Sequence, residues 1–396
     1  MNFYVITLIK LGIVMFVFMT TLAYLQWIER KVLAHIQLRL GPYRVGPHGL
    51  LQPLADVIKL LTKEGFIPGN VNLVFYLLAP FLAVTIALIA ISMIPFGPRI
   101  EIGGVETYMQ MTDLPVGILM ILGLSSIGVY GVALAGWASN SKYALLGGLR
   151  SAAQMISYEL PMAVALAAPL LMVNTLSLRE MVDRQGAFYL GFIPAWTLLQ
   201  MPFPQIISFI TFLIAGFAET NRVPFDLPEA ENELVAGFHT EYSSMSFAAF
   251  FMAEYANMVT VTSIATLLFL GGWHPLWPTE FGSWIVPVGL FVAAGAISIF
   301  HGLQPARPFD RITLPAFGVV MILAGLLFAV PMIQPYVLPL FWFTAKVGVL
   351  LFIFIWIRGT LPRFRYDQLM GFAWKFLFPL ALINLLITGL AVALTS

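Results

Sequence analysis

Residues 71–95 read VNLVFYLLAPFLAVTIALIAISMIP, 25 positions without one charged side chain. A helix crosses the hydrocarbon core of a bilayer in about 20 residues, so this run is long enough to span. Comparable runs recur on both sides of it. Ten segments read as spanning helices, near 3–28, 71–95, 114–138, 152–173, 198–218, 245–270, 284–300, 315–333, 341–357 and 373–393. The fold class that follows is all-α, a polytopic transmembrane helix bundle of about 10 spans. Composition agrees. Of 396 residues, 60% are hydrophobic and 10% charged, where a soluble domain carries about 25% charged residues. The 284–300 segment is the weakest, being short and containing Pro287. Trp273, Trp277 and Trp284 flank it like an interfacial aromatic belt.

Several function classes fall away at once. The formal net charge is +1 and no basic patch of the nucleic-acid-binding sort is present, so no nucleic-acid partner is expected. With no cysteine, this chain alone holds no disulfide, Cys-ligated zinc or iron–sulfur cluster. His35, His48, His239, His274 and His301 form no pair at metal-ligand spacing, and no metal site is expected. The N-terminus is not a typical signal peptide, because Lys10 lies inside the apolar run and no small-residue cleavage site follows.

Lys and Arg test the span count, since cytoplasmic loops are enriched in both. With the N-terminus outside and ten spans, the inside loops hold Arg30, Lys31, Arg39, Arg44, Lys59, Lys63, Lys142, Arg150, Arg222, Arg307, Arg311, Arg358, Arg363 and Arg365, with Lys375 just beyond. The outside loops hold only Arg99, Arg179 and Arg184. Fifteen against three supports both termini on the outer side of a bacterial inner membrane. Eight spans preserve the same orientation if 284–333 forms a re-entrant hairpin. No internal repeat is visible, unlike the halves of an inverted-repeat transporter.

The first inside loop opens on Glu29-Arg30-Lys31 and continues through GPYRVGP (41–47), too rich in Gly and Pro for a helix. A short amphipathic helix is expected over 50–64. Leu50, Leu54, Val57, Ile58 and Leu61 share one face, and Gln52, Asp56, Lys59 and Lys63 the other. Pro53 suits its first turn, and such a helix lies along the membrane surface. An ordinary surface connector has the same pattern.

The informative charges are those kept among apolar spans. Glu159 lies in SYELP (157–161), and an acid at mid-membrane costs about 2.5–3.5 kcal/mol on insertion scales. Burial disfavours its charged form, which suits a proton carrier; a structural hydrogen bond is the plainer alternative. Residues 219–254 hold seven of the nineteen acids: Glu219, Asp226, Glu229, Glu231, Glu233, Glu241 and Glu254. Arg222 is the one fixed cation in that stretch. Crowded carboxylates share protons instead of all ionising. A solvated loop accounts for 229–233 about as well, but not for Glu219 at the end of an apolar span or Glu254 inside one. Lys346, well inside the ninth span, reads either as a proton-exchanging amine or as a snorkelling one.

Four stretches together carry a resemblance. They are Glu29-Arg30-Lys31 with GPYRVGPHGLLQPLADVIKLLTKE (41–64), QMISYELPM (154–162), AETNRVPFDLPEAENELVAGFHTEY (218–242) and IRGTLPRFRYDQLM (357–370). In that order they resemble the H-type membrane component of the bacterial NADH-quinone oxidoreductase, respiratory complex I, a family that includes NADH dehydrogenase subunit 1 in mitochondria. The resemblance covers about 1–270 and 340–396. It implies a membrane-arm subunit that walls the quinone access chamber beside the peripheral arm. It also implies a part in coupling quinone reduction to proton translocation.

By motif match, the quinone chamber and its mouth should involve Glu29, Arg30, Arg39, Asp56, Arg222, Phe225 and Arg358. The helix over 50–64 becomes the doorway for the quinone tail. The proton route should run through Glu159, Glu219, Asp226, Glu229, Glu231, Glu233 and Glu254. No redox chemistry and no covalently bound cofactor is expected in this chain. Quinone is the substrate, and NADH, FMN and iron–sulfur clusters are expected in partner subunits. The expected partners are the other membrane-arm and peripheral-arm subunits, quinone and membrane lipid.

Residues 272–339 depart from the family pattern of eight spans. They read as an inserted transmembrane hairpin between the two parts of a family core, 1–271 and 340–396, and carry no buried acid. Two other readings stay open at this point. One is a related subunit serving another electron donor or a membrane-bound hydrogenase. The other is a standalone proton or cation antiporter.

Overall fold

The computed structural model describes residues 3–102, 105–201, 203–226, 236–279, 282–304 and 309–395. Among these, nine helices are long and apolar enough to cross a membrane, and Ile206–Glu219 is a shorter apolar helix. The chain is a polytopic helical bundle. Its loops gather at two opposite ends, one of them rich in Lys and Arg.

Helix α1 (Phe3–Ile36) has 34 residues, about 51 Å at 1.5 Å per residue. That exceeds the roughly 30 Å hydrocarbon core, so its last turns project at the basic end with Glu29, Arg30 and Lys31. The interfacial helix α2 (Gln52–Thr62) is somewhat shorter than the 50–64 expected, with Pro53 in its first turn. Leu54, Val57, Ile58 and Leu61 stay exposed on it, while Asp56 turns back to Arg30. Helix α3 (Leu73–Ile91) is the apolar run quoted above.

Helices α4 (Gly117–Ala138) and α5 (Lys142–Val173) pack through glycines. A Cβ on Gly148 would come within 3.1 Å of the Gly136 Cα, and one on Gly147 within 2.7 Å of the Gly237 Cα. Small residues let helix backbones approach in a membrane. This packing explains why α5 begins ten residues before the apolar segment does. Its C-terminus is set by Asn174 in the left-handed region, at φ 55°.

After the short α6 (Leu178–Asp183), the helix expected over 198–218 begins only at Ile206. This α7 (Ile206–Glu219) has 14 residues, about 21 Å. The segment before it is irregular, which is tolerated at membrane depth where protein satisfies the backbone. Gln185 does so: its Oε1 accepts from Thr197 N at 3.2 Å and its Nε2 donates to Leu267 O at 2.9 Å. Gln205, Ser208, Asn384 and Thr388 then hydrogen-bond across helices, with Asn384 donating to Ser208 at 2.6 Å.

Helix α8 (Ser244–Phe269) is the most enclosed, with 61% of its spanning window buried. Helices α9 (Ile285–Leu303) and α10 (Asp310–Leu327) form a hairpin with only 17% of either window buried. Its two backbones meet closely, since a Cβ on Gly295 would lie 2.6 Å from the Gly318 carbonyl. Helix α11 (Gln334–Thr360) follows. The last crossing comprises α12 (Tyr366–Phe372), a π turn at Ala373–Leu377 and α13 (Phe378–Thr395).

Two small antiparallel hairpins lie at the end opposite the basic one, neither of them expected from the sequence. Strands β1 (Arg99–Ile102) and β2 (Val105–Tyr108) form the first, and β3 (Phe188–Tyr189) and β4 (Ile193–Pro194) the second. Lys10 ties α1 to the first, donating to Thr107 Oγ1 at 2.8 Å and to the Gln110 carbonyl at 3.1 Å.

Candidate functional site

Four elements meet at the basic end around one arginine. Arg222 follows α7 and is 4% exposed. Its Nη2 lies 3.3 Å from Glu29 on α1, and its Nε lies 2.7 Å from Glu254 on α8. The guanidinium also stacks over the Tyr255 ring at 4.4 Å, and its Nε donates to Met258 Sδ at 3.2 Å. Glu29, 2% exposed, pairs in turn with Arg358 at the end of α11. Breaking such a buried pair typically costs about 3–5 kcal/mol, because it strands a charge.

The loop that carries Arg222 is held from α5. Gln154 Nε2 donates to the carbonyls of Ala218 at 2.8 Å and Phe225 at 2.7 Å, and so grips both ends of the turn. Asn221 donates to Ser151 at 3.1 Å. Phe364 N donates to the Pro224 carbonyl at 3.1 Å, and Arg363 pairs with Asp226 at 3.1 Å. Phe225 lies between the Tyr158 and Phe364 rings, 5.6 Å from each centroid.

Away from Arg222, the other side of Glu254 faces a cavity that Glu219 and Asn257 also line. About 60 Å³ of it is open to water. One water needs about 10–15 Å³ by that measure, so the space is large enough for several. A second cavity of about 30 Å³ shares Ser125, Glu219 and Asn257 with the first. Glu219 therefore stands between two small chambers. Ser125 of α4 donates to Glu219, and its neighbour Ser126 donates to Glu159 on α5. The adjacent hydroxyls thus bridge carboxylates on two other helices. The cavity wall at Phe238 and Phe251 backs onto His239, whose pKa burial pushes down to about 4. That imidazole is neutral at ordinary pH.

The family model for NADH dehydrogenase matches residues 9–389. The chain belongs to the NADH dehydrogenase family. Among its relatives in that family is an H-type NADH-quinone oxidoreductase subunit of Solibacter usitatus (strain Ellin6076), 66% identical over 395 residues, covering 100% of this chain and 98% of that one. The H-type NADH-quinone oxidoreductase subunit numbered 2 in Koribacter versatilis (strain Ellin345) is 48% identical, covering 99% of this chain and 98% of its own. The H-type NADH-quinone oxidoreductase subunit of Protochlamydia amoebophila (strain UWE25) is 46% identical, covering 93% and 92%.

In this member of the NADH dehydrogenase family, Glu29, Arg222, Phe225, Asp226, Glu254 and Arg358 come together at the basic end. Arg30 and Asp56 form a separate, more exposed pair at 2.8 Å between α1 and α2. Arg39 does not join either group; it is exposed, and its Nε donates to Gln37 at 2.7 Å. Glu219 and Glu159 lie deeper, on the serine bridge. Glu229, Glu231 and Glu233 lie outside the described residues. Reading the sequence did not single out Ser125, Ser126, Tyr255 or Asn257. A paired hydroxyl within an apolar run was the available signal for the serines, whereas Tyr255 and Asn257 carried none beyond their nearness to Glu254.

Proposed function

We propose that the chain is a membrane-arm subunit of a proton-pumping NADH:quinone oxidoreductase, walling the quinone chamber and coupling quinone reduction to proton translocation. The observation that carries this reading is the placement of Glu254, which pairs with Arg222 and lines the cavity that leads to Glu219. Kinship with subunits named for NADH-quinone oxidoreductase supports the substrate. The basic end then faces the cytoplasm and the peripheral arm, where NADH, FMN and iron–sulfur clusters belong to other subunits. Both termini face outward. Residues 272–339 are an inserted hairpin on a core formed by 1–271 and 340–396.

The chemistry follows from charge. Reduction of a quinone to a quinol takes up two electrons and two protons. Electrons arriving from partner subunits raise the negative charge beside the chamber until protons follow. Arg222 is shared by Glu29 and Glu254, so a proton taken by one carboxylate frees the guanidinium for the other. Water entering the cavity that both line would connect Glu254 to Glu219. Ser125 and Ser126 carry the path on to Glu159, which lies half-buried on the flank of α5. Glu29, Arg30, Arg39, Asp56, Arg222, Phe225 and Arg358 frame the chamber. The proton route runs through Glu159, Glu219, Asp226 and Glu254, and the motif match adds Glu229, Glu231 and Glu233 to it.

The test is Glu219→Gln and Glu159→Gln in the native complex, purified and reconstituted into liposomes. Both variants are expected to lose coupled turnover while still assembling with flavin and iron–sulfur subunits. Normal proton pumping by both would overturn the route. A particle containing this chain alone, carrying ion flux by itself, would overturn the assignment.

A further inference from the structure

Among the described residues, side-chain contacts tie the α9–α10 hairpin to the rest of the protein near both of its ends. At the end opposite the basic one, Phe291 and Phe328 meet Phe341 of α11, with Phe328 at 5.4 Å. At the basic end the contact is polar and specific. Tyr43 donates its hydroxyl to Asp310 Oδ1 at 2.8 Å. His48 Nε2 lies 3.2 Å from Thr313 Oγ1 and 3.5 Å from Asp310 Oδ1. Tyr43 and His48 also touch edge to face, at 5.4 Å. Asp310 and Thr313 lie within the first turn of α10 and so face the loop together.

That loop is rigid by construction. Gly46 and Gly49 have φ of 70° and 79°, and a Cβ on Gly49 would strike the Pro42 carbonyl. Leu51 N donates to the Val45 carbonyl at 3.2 Å, so the loop leads directly into α2. Its other face rests on α1, where the Lys31 ammonium lies over the Tyr43 ring at 5.5 Å. One residue earlier on α1, Arg30 pairs with Asp56 of α2. Whatever holds Tyr43 and His48 therefore holds the near end of α2.

We infer that the hairpin is a doorpost: through Asp310 and Thr313 it fixes the 41–51 loop and thereby the gap through which a long-tailed quinone passes. The inference rests on the quinone-chamber reading. Asp310, Thr313, Tyr43 and His48 are positioning residues, acting through the loop that they hold. Their effect falls on admission of the tail and not on the reduction step.

The experiment uses the whole complex carrying Tyr43→Phe, Asp310→Asn, Asp310→Ala or the double Tyr43→Phe/Asp310→Ala. Steady-state quinone reduction is measured with a long-tailed quinone and with a short-tailed analogue. One lost hydrogen bond corresponds to a change of about five-fold, so KM for the long-tailed quinone is expected to rise by that order in Tyr43→Phe and Asp310→Ala. The kcat values and the KM for the short-tailed analogue should stay near normal. Asp310→Asn keeps an acceptor for Tyr43 and should hold KM close to normal. The double variant should be no worse than the worse single one. Equal KM changes for both quinones, or none for either, would overturn the doorpost. Arg30→Ala separates the two ideas: a raised quinone KM there with normal Tyr43→Phe and Asp310→Ala kinetics sinks the doorpost and leaves the chamber standing. Unchanged quinone kinetics in Arg30→Ala and all the others would sink the chamber reading along with it. Tyr43→Phe removes a single oxygen, so the test survives if Asp310→Ala fails to assemble.

Discussion

Lys346 and Glu219 are both ionisable, both buried and both set in apolar helices, yet their surroundings differ completely. The Lys346 ammonium donates to the carbonyls of Leu270 at 2.6 Å, Gly272 at 2.9 Å and His274 at 2.7 Å, which uses all three of its hydrogens. It also lies 4.3 Å over the Trp196 ring. Glu219 has one oxygen on Ser125, while its Oε2 is buried without a hydrogen-bond partner among the described residues. It borders two cavities. A fully bonded charge is a fastener. A part-bonded charge beside room for water has somewhere to send a proton. Burial alone does not distinguish the two, and unfilled hydrogen-bonding capacity next to space does.

The largest effect expected from breaking this contrast is at Arg222, which belongs to the part-bonded side. Arg222→Met removes the partner of Glu254 and one of the two guanidiniums on Glu29. A loss of about 3–5 kcal/mol is expected where a buried partner is removed. The variant should assemble poorly, and any assembled complex should be inactive in quinone reduction. Yield and turnover of the purified complex check this. Full turnover in Arg222→Met would show that the arginine merely fills space.

Next in size is Lys346→Met, on the fastener side. Three carbonyls lose a charged donor, at about 1–3 kcal/mol for each one left unpaired; water at that end of the bundle reduces the sum. The purified complex should melt earlier, while turnover and protons pumped per quinone stay normal once it is assembled. A Lys346→Met complex with normal melting but lost pumping would erase the contrast by making Lys346 a proton carrier.

The sequence showed the crossings because an apolar run of about 20 residues is itself a physical cause of a spanning helix. It failed where helix length was decided by packing. Helix α5 starts early because Gly147 and Gly148 admit neighbouring backbones, and α7 starts late because Gln185 and Gln205 satisfy an unwound strand. Glu29, Arg222, Glu254 and Arg358 were each visible as charges out of place. The motif match grouped Glu29, Arg222 and Arg358 in one chamber but set Glu254 apart on the proton route, and its pairing with Arg222 was not visible. The mate of Arg222 within its own stretch turned out to be Glu254, with Glu29 supplied by the first helix. The paired serines were a weak signal, because a hydroxyl in an apolar helix usually bonds its own i−4 carbonyl. Ser126 does this to Leu122 at 3.1 Å while also reaching Glu159.

The smallest expected effect separates the same two sites by pH. His274 shares the loop that Lys346 fastens, and burial, with the Lys346 charge second, holds its pKa at about 4 against an ordinary 6.5. Its Nε2 donates to the Val182 carbonyl at 3.1 Å. His239, at the other end beside the cavity, is pushed to about 4 by burial alone. For a group depressed in this way the unfolded chain binds the proton first. Stability is then fully present above pH 6.5 and is lost as pH falls from 6.5 toward 4. His274→Gln keeps a donor for Val182 and removes the titration, so it should flatten melting temperature against pH in that window. Lys346→Met removes one of the two causes that lower the His274 pKa and none acting on His239. It should therefore ease the acid sensitivity that arises near the fastener and leave untouched the part that arises near the cavity. Melting curves of the wild type, His274→Gln, Lys346→Met and the double variant decide the matter. If Lys346→Met eases acid sensitivity as much in the His274→Gln background as alone, the lysine is not acting through His274, and the two ends of the molecule are not electrostatically separate.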